Sequence, residues 1–299
     1  MHINKIGVLG CGLMGSGIAH TTARAGFTTI VREINRELLN KGIGNIYKRI
    51  ERAVSKGKAE ASEIETVKRH LSGTTELHDF STCDLIIEAV PEKLELKREL
   101  FSELDKITGG NAIFATNTSS LKVSDIAEAV NRRDRFIGLH FFNPAPVMKL
   151  VEVIRTDDTS DETYKTCIDF VGKIGKTAVT CKDTTGFVVN RLLTPYLLDA
   201  VRALEAGTAS VKDIDNGMKL GCGYPMGPLT LIDFIGVETV NHIAHIMHEE
   251  FKQPQYEPPK LLRKMVDKGW LGKKSGKGFY NYSGEEPAAN DDDLMNLLK

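Results

Sequence analysis

Short apolar runs alternate with longer amphipathic stretches over roughly the first 180 residues of the chain. The runs have the length of β-strands, and the stretches between them repeat their apolar residues with the period of a helix. Strands alternating with helices predict a mostly parallel sheet covered on both faces, the α/β class. The predicted strands are 5–10, 28–32, 84–90, 112–116, 135–140, 149–154 and 177–181, and the predicted helices are 14–25, one or two within 35–70, 93–107, 123–130 and 161–174.

The pattern becomes purely helical from about Phe187 onward, with no convincing strand. We therefore expect two domains, 1–185 containing the sheet and an all-helical 186–299. The acidic tail 285–299 is compatible with either a frayed or a docked terminus. The predicted helices of the second domain are 187–206, 211–220, 229–251 and 258–268.

Composition narrows the class of protein. The 299 residues are 41% hydrophobic and 26% charged, and a net charge of −1 argues against nucleic-acid binding through bulk charge. No apolar segment reaches about 18 residues, and a strand pattern that begins by Ile3 leaves no room for a signal peptide, so we expect a cytoplasmic protein that contacts no membrane. The five cysteines form no C-x-x-C pair, which predicts no disulfide or zinc site but buried or half-buried thiols in a reducing compartment: Cys11, Cys83, Cys167, Cys181 and Cys222.

The glycine-rich string GCGLMG follows the first predicted strand and opens the first predicted helix. In that context G-x-G-x-x-G is typical of a dinucleotide-binding turn. The first glycine permits the tight turn, the second lets the backbone approach a pyrophosphate, and the third lets helix and strand pack closely. The N–H groups that begin the helix favour the phosphates. The predicted cofactor-binding residues of this turn are Gly10, Gly12, Leu13, Met14 and Gly15.

An acidic residue at the end of the second predicted strand bears on which dinucleotide is bound. Glu33 follows Gly15 by about the interval at which a carboxylate accepts hydrogen bonds from the adenosine ribose hydroxyls. This position favours NAD over NADP. Arg32 keeps NADP open, because an adjacent guanidinium can accommodate a 2′-phosphate.

Three further strings place polar side chains where a strand ends or the helical part begins: NTSS at 117–120, HFFNP at 140–144 and GFVVNR at 186–191. The carboxyl ends of parallel strands form the edge of an open sheet at which ligands bind. A histidine at that edge is suited to proton exchange near neutral pH. Taken singly, each of these residues is equally compatible with an ordinary capping or solvated group.

The sequence resembles the 3-hydroxyacyl-CoA dehydrogenase family, in particular its stand-alone bacterial 3-hydroxybutyryl-CoA dehydrogenases. The resemblance implies a Rossmann-type NAD-binding domain, an all-helical substrate and dimerisation domain, a substrate cleft between them, and a homodimer. It also implies hydride transfer between NAD(H) and C3 of a short acyl-CoA, with acetoacetyl-CoA and (S)-3-hydroxybutyryl-CoA as the four-carbon pair. The strings that carry it run from about residue 6 to 282: VLGCGLMGSGIA, NTSSL, GLHFFNPAPVMKLVEVI, GFVVNRLL, PMGPLTLIDFIG and GWLGKKSGKGFYNY.

Four catalytic residues transfer from the family by their motif positions. The resemblance implies that His140 is the general acid and base, with Glu152 accepting a hydrogen bond from its other ring nitrogen. A carboxylate in that position fixes the tautomer and stabilises the imidazolium. Ser119 and Asn190 are then expected to hold the substrate oxygen, and Asn190 to bind it as charge develops.

The resemblance further implies contacts with the cofactor and with the CoA phosphates. The residues assigned to the nicotinamide side of the cofactor site are Glu92, Lys97 and Asn117, and Ser119 and Asn143 are further predicted cofactor contacts. A basic stretch lies where members of the family bind the CoA phosphates, although a run of charged residues is usually a solvated helix face. It contains Lys48, Arg49 and the two assigned contacts, Arg52 and Lys56.

Alternatives from other classes stay open at this level. A related dehydrogenase for a free acid, of the L-gulonate type, would need little of the basic stretch. A crystallin-like protein or an NADH-binding redox sensor would bind the dinucleotide without turnover. We expect no fused hydratase domain, because two domains use the 299 residues. We also expect no metal site, since His242, His245 and His248 lie on a helical pattern without acid partners at ligand spacing.

Overall fold

Eight strands form one sheet in the computed structural model, which describes residues 2–299. The strands follow the spatial order β3-β2-β1-β4-β5-β6-β7-β8 once they are numbered along the chain. Neighbouring strands pair in parallel, except β6 and β7, which are antiparallel. The strands are β1 Lys5–Leu9, β2 Thr28–Arg32, β3 Leu71–Thr74, β4 Leu85–Glu88, β5 Ile113–Thr116, β6 Phe136–Phe141, β7 Leu150–Arg155 and β8 Thr177–Lys182.

Alternate residues of the central strands enter different hydrophobic clusters. Leu85 and Ile87 of β4 belong to one cluster, whereas Ile86 between them belongs to another. Successive side chains of a strand point to opposite faces, so both faces of the sheet are buried. The helices that cover them are α1 Leu13–Arg24, α2 Arg36–Ser55, α3 Ser62–His70, α4 Leu94–Ile107, α5 Val123–Ala127 and α6 Asp161–Lys173, with 3₁₀ turns at Leu77–Phe80 and Arg133–Arg135.

The chain divides into two compact units after Phe187. The second unit has its own core, which includes Leu198, Val201, Leu229 and Phe279. Its elements are α7 Val189–Glu205, α8 Val211–Cys222, α9 Pro228–Ile235, α10 Val237–Phe251, α11 Lys260–Asp267, β9 Tyr280–Asn281, β10 Ala288–Ala289 and α12 Asp291–Leu298, with 3₁₀ turns at Pro254–Tyr256 and Lys273–Ser275. The predicted fold class, a mostly parallel α/β sheet followed by a helical C-terminal region, is confirmed.

Several details of the predicted elements are wrong. The segment 229–251 is two helices, because Gly236 adopts a φ of 110° between them. The region after Phe187 contains a two-stranded antiparallel sheet, β9–β10, where no strand was expected. Of the two states left open for the tail, the docked one is found, since Leu294 of α12 is buried in the second core. Cys222 is exposed, not buried or half-buried. None of the helices described between residues 2 and 299 is long and apolar enough to cross a membrane.

Candidate functional site

The turn between β1 and α1 is shaped by its glycines. Gly10 adopts a φ of +88°, and a Cβ at Gly15 would overlap the Gly10 carbonyl oxygen. Gly12 is the N-cap of α1 and supplies no side-chain cap, and a Cβ there would meet nothing within 4 Å. The N–H groups that begin α1 therefore face open space beside the turn, which suits an anionic group.

Glu33 follows β2 and lines a cavity of about 480 Å³ together with Cys11, Gly12 and Leu13 of the glycine-rich turn. Its carboxylate accepts hydrogen bonds from the backbone N–H groups of Cys11 and Ile34, at 2.9 and 2.8 Å. A cavity of this size is in the range of small-molecule and cofactor sites. The residues at the turn thus fit the phosphates and adenosine ribose of a dinucleotide.

The basic stretch of α2 forms another wall of the same cavity. Lys48, Arg49 and Arg52 line it, and Arg49 donates from Nη2 to the Ser16 hydroxyl at 3.2 Å. Lys56, the C-cap of α2, is exposed and is not a lining residue. Lys41, which was not among the predicted site residues, adds a further positive charge to this wall.

The antiparallel pairing of β6 and β7 brings His140 directly opposite Glu152. The imidazole Nδ1 lies 2.7 Å from Oε2 of the carboxylate. His140 is 6% exposed and Glu152 is fully buried. Because an ionised carboxylate only accepts hydrogen bonds, the imidazole donates from Nδ1, and Nε2 is the nitrogen that can exchange a proton.

Two aromatic rings flank the imidazole of His140. Its centroid lies 4.6 Å from the ring of Phe142 and 5.6 Å from the ring of Phe187, both in tilted geometry. These contacts are within the usual range for interacting rings. They restrict rotation of the imidazole away from Glu152, so the pair is oriented from several sides.

The NTSS loop after β5 is held by the carboxylate of Glu92. Its Oε1 accepts from the Thr118 hydroxyl at 2.5 Å, from the Ser119 N–H at 2.9 Å, and from the N–H and hydroxyl of Ser120, both at 3.1 Å. Burial alone raises the pKa of Glu92, but the Lys97 ammonium, the Thr118 hydroxyl and the Ser119 N–H outweigh it and lower the pKa to about 2. Glu92 therefore stays ionised and fixes the backbone at Ser119.

Lys97 connects Glu92 to a second acid that the sequence analysis missed. Its ammonium lies 3.1 Å from Oε2 of Glu92 and 2.7 Å from Oε1 of Glu88, and Lys97 is only 1% exposed. Glu88, at the end of β4, is fully buried and also accepts from the Thr116 hydroxyl at 2.6 Å. The available signal was an acid within the apolar run DLIIEAV, nine residues before Lys97.

The other predicted site residues occupy different environments. Asn117 accepts through Oδ1 from the Phe141 N–H at 2.8 Å, which links the ends of β5 and β6. Asn143 is exposed on the loop after β6. Asn190 lies in α7, in the second compact unit. The first unit thus brings together His140 and Glu152, and it joins Glu92, Lys97 and the Ser119 loop in a second cluster.

A glycine turn that opens onto a cavity beside an acid, together with a buried imidazole–carboxylate pair, is typical of dinucleotide-dependent oxidoreductases that exchange a proton through histidine. Comparison with known proteins identifies the family. Residues 5–184 match the NAD binding domain of 3-hydroxyacyl-CoA dehydrogenase, and residues 186–282 match its C-terminal domain. The chain belongs to the 3-hydroxyacyl-CoA dehydrogenase family, which confirms the resemblance.

Individual relatives are similar over nearly their whole length. The chain is 48% identical over 282 residues to the 3-hydroxybutyryl-CoA dehydrogenase of Mycobacterium tuberculosis, covering 94% of this chain and 99% of that protein. It is 45% identical over 287 residues to human mitochondrial hydroxyacyl-coenzyme A dehydrogenase, covering 94% and 91%. The crystal structure of (S)-3-hydroxybutyryl-CoA dehydrogenase from Ralstonia eutropha superposes with a TM-score of 0.90 at 40% identity, covering 95% of this chain and all of that one.

Between residues 2 and 299, no group of three or more His, Cys, Asp or Glu side chains is arranged to hold a metal ion. His248 of α10 instead has its Nδ1 3.2 Å from the Gln253 carbonyl oxygen.

Proposed function

We propose that this protein interconverts (S)-3-hydroxybutyryl-CoA and acetoacetyl-CoA with NAD(H). The observation that carries the proposal is the buried pair of His140 and Glu152, with Nδ1 2.7 Å from Oε2. The four-carbon acyl group is supported by the relatives from Mycobacterium tuberculosis and Ralstonia eutropha, whose names specify 3-hydroxybutyryl-CoA.

The proton is exchanged at Nε2 of His140. In the oxidative direction, neutral imidazole takes the hydroxyl proton of the substrate, and in the reductive direction imidazolium returns it to the carbonyl oxygen. Glu152 holds the Nδ1–H and stabilises the imidazolium. The bound cofactor would supply the hydride chemistry at C3 of the acyl chain, with NAD+ as acceptor in the oxidative direction and NADH as donor in the reductive direction. The side chains of Ser119 and Asn190 hold the substrate oxygen, and Asn190 stabilises the charge that develops on it.

The cofactor is held by the first unit. The N–H groups at Gly12, Leu13 and Met14 receive the pyrophosphate, and Glu33 accepts from the ribose hydroxyls. Arg32 donates from Nε to the Thr75 carbonyl at 3.2 Å, which supports NAD over NADP because that donor is already engaged.

The remaining contacts follow the family assignment. Glu92, Lys97 and Asn117 border the nicotinamide, and Ser119 and Asn143 are further cofactor contacts. Arg52 and Lys56 belong to the basic stretch that binds the CoA phosphates, together with Lys48 and Arg49. Arg52 also lines the cavity assigned to the dinucleotide, whereas Lys56 is exposed outside it.

The proposed protein is a cytoplasmic homodimer formed through the helical unit. Five free cysteines support a reducing compartment. Leu192, Leu220 and Phe234 of the second unit are 70%, 84% and 57% exposed, and large apolar side chains of this kind are suited to a second copy of the chain. Most apolar residues of 229–247 are internal, so only Phe234 of that segment supports this role. Sedimentation equilibrium tests the dimer, which a monomer at micromolar concentration contradicts.

An initial-rate assay tests the proposed reaction. It compares acetoacetyl-CoA, longer 3-oxoacyl-CoA substrates and free acetoacetate, each with NADH and with NADPH. We expect the highest kcat/KM with acetoacetyl-CoA and NADH. Equal turnover of free acetoacetate contradicts the CoA substrate and supports a free-acid dehydrogenase. Absence of turnover with every substrate contradicts catalysis altogether and leaves a nucleotide-binding protein.

A further inference from the structure

The loop that joins β6 to β7 carries several backbone carbonyls bound by basic side chains. Lys176, between α6 and β8, donates from Nζ to the carbonyl oxygens of Ala145 and Met148, at 2.6 and 2.5 Å. Arg24 of α1 donates from Nη2 to the carbonyl of Pro146 at 3.2 Å. Two cations from different elements thus hold one short loop.

The setting of Lys176 is unusual for a lysine. It is 9% exposed, and no acidic side chain pairs with it in the part of the chain that the structure describes. Burial, and then the nearby Arg24 guanidinium, lower its pKa to about 8. Burying an ammonium without an acid is unfavourable. Its only partners are the two loop carbonyls, so fixing them is the evident role of this side chain.

The loop has few other anchors. Val147 and Met148 are 70% and 40% exposed, so they contribute little packing. Ala145 is buried and approaches Gly17 of α1, where a Cβ would lie 3.0 Å from the Ala145 Cβ. The amides of Val147 and Met148 both donate to the Pro144 carbonyl, which closes a local turn. Lys176 and Arg24 hold that turn to the rest of the unit, together with the packing of Ala145 in the core and the Thr177 N–H, which donates to the Lys149 carbonyl at 2.7 Å.

The two ends of this loop continue directly into the strands of His140 and Glu152. We propose that Lys176, assisted by Arg24, is a positioning residue that fixes the β6–β7 loop and thereby the hydride-transfer geometry around His140. This inference rests on the proposed function. Small displacements of reacting groups lower rates steeply, by about 100-fold for 1 Å.

A single-turnover measurement separates positioning from folding. Enzyme in excess of NADH is mixed with acetoacetyl-CoA, and the decay of NADH absorbance gives a rate constant and an amplitude. In Lys176→Met we expect the rate constant at saturating acetoacetyl-CoA to fall about 10- to 100-fold while the folded fraction, measured by circular dichroism, stays near wild type. A merely structural role lowers the folded fraction and leaves the rate constant of the remaining folded enzyme unchanged, which overturns the proposal.

Companion variants sharpen the result. Lys176→Arg keeps a donor to the loop and should recover most of the rate constant. Lys173→Met removes an exposed lysine near the end of α6 and should leave it unchanged. Failure of Lys176→Arg to recover any rate overturns the role of the donated hydrogen bonds. If Lys176→Met does not fold, the single-turnover rate constant of Arg24→Met tests the proposal instead. A fall in that rate constant of about threefold supports the proposal, and an unchanged rate constant overturns it.

Hydrogen–deuterium exchange tests the loop without relying on turnover. In Lys176→Met the amides of Val147 and Met148 should exchange about tenfold faster, with no change in β1. Unchanged exchange overturns the proposed restraint. If wild-type enzyme does not reduce acetoacetyl-CoA, the proposed function fails, whereas the exchange result still decides whether Lys176 holds the loop.

Discussion

Four acidic side chains are fully buried in residues 2–299, two in each compact unit, and the two pairs are compensated differently. In the first unit, Glu88 contacts the ammonium of Lys97 and Glu152 contacts the imidazole of His140. In the second unit, the two buried acids accept only from backbone N–H groups and hydroxyls. Each buried acid of the first unit therefore has a basic partner.

The acids of the second unit fasten its C-terminal hairpin to its helices. Tyr280 donates its N–H to Asp233 at 2.9 Å and its hydroxyl to Asp215 at 2.8 Å. Asp215 also accepts from the N–H groups of Leu229 and Thr230, which begin α9. The strings PMGPLTLIDFIG and GWLGKKSGKGFYNY meet at these contacts, so they contribute to the packing of this unit.

The difference shows in the pKa values. Burial raises the pKa of Asp233 to about 6, because hydrogen bonds from Phe279, Tyr280 and Tyr282 only partly offset it. Glu92, beside the Lys97 ammonium, has a pKa of about 2. Glu92 therefore keeps its charge near the candidate site, whereas the two buried acids of the second unit, which have neutral donors, hold secondary structure together. Four substitutions test this division.

Glu152→Gln should have the largest effect. The amide neither fixes the imidazole tautomer nor stabilises the imidazolium, so kcat should fall about 10²- to 10⁴-fold. Steady-state kinetics with acetoacetyl-CoA measure it, and Asp157→Asn, an exposed acid just beyond β7, is the control. A kcat within about threefold of wild type would show that the buried acid is structural, like those of the second unit.

Lys97→Met should destabilise the first unit strongly. It leaves Glu88 buried without its cation, and breaking a buried pair in this way costs about 3–5 kcal/mol. Urea unfolding gives the free energy, with Lys106→Met, an exposed lysine of the same helix, as control. Adding Glu88→Gln should recover part of the loss. A loss of unfolding free energy below about 1 kcal/mol would mean that neutral hydrogen-bond donors are enough to compensate a buried acid in this unit as well.

Asp233→Asn should change how stability depends on pH. The Asp233 pKa is raised from 3.8 to about 6, so the folded protein binds this proton more tightly. The contribution of Asp233 to the free energy of unfolding, up to about 3 kcal/mol, is complete below about pH 4 and is lost as the pH rises through 6.

Unfolding followed by Trp270, the only tryptophan, measures this dependence in the second unit. The stability of wild type relative to Asp233→Asn should fall between pH 4 and pH 7. Asp267→Asn, an exposed acid of α11, should show no such trend. A difference that is constant or rises with pH contradicts the assignment.

Glu33→Ala has the smallest expected effect. Glu33 is the acid of the first unit that faces the cavity with backbone N–H partners only. Loss of its bonds to the ribose should weaken NADH binding about tenfold, with little change for acyl-CoA. Fluorescence titration measures both affinities, and Glu37→Ala is the exposed control. Equal losses for the two ligands would contradict the ribose role.

Periodic segments of the chain were predictable, and short or interrupted ones were not. β3, Leu71–Thr74, was missed because its LSGT sequence has no apolar run and it pairs at the sheet edge. The helix predicted over 229–251 ignored Gly236, since an isolated glycine is tolerated within a helical pattern. α12 was missed because three consecutive aspartates from Asp291 make the tail look polar throughout. Acidic residues are nevertheless favoured in the first turn of a helix.

The candidate site was likewise predictable from the sequence only in part. The opposition of His140 and Glu152 follows from a β6–β7 register that the sequence suggested only through the family resemblance. Nothing in the sequence distinguishes Lys176 from other lysines, because only tertiary contacts reveal its two carbonyl partners. Lys97 was expected at the cofactor, yet its burial against Glu88 depends on the pairing of whole elements.

The most direct measurement is the turnover of His140→Gln together with its NADH affinity in the same preparation. The account predicts that kcat for acetoacetyl-CoA reduction falls by about 10²- to 10⁴-fold, because proton exchange at Nε2 is lost. The NADH dissociation constant should stay within about twofold, since the glycine-rich turn is untouched. A kcat within tenfold of wild type, in an enzyme that binds NADH normally, would contradict the central role of this imidazole.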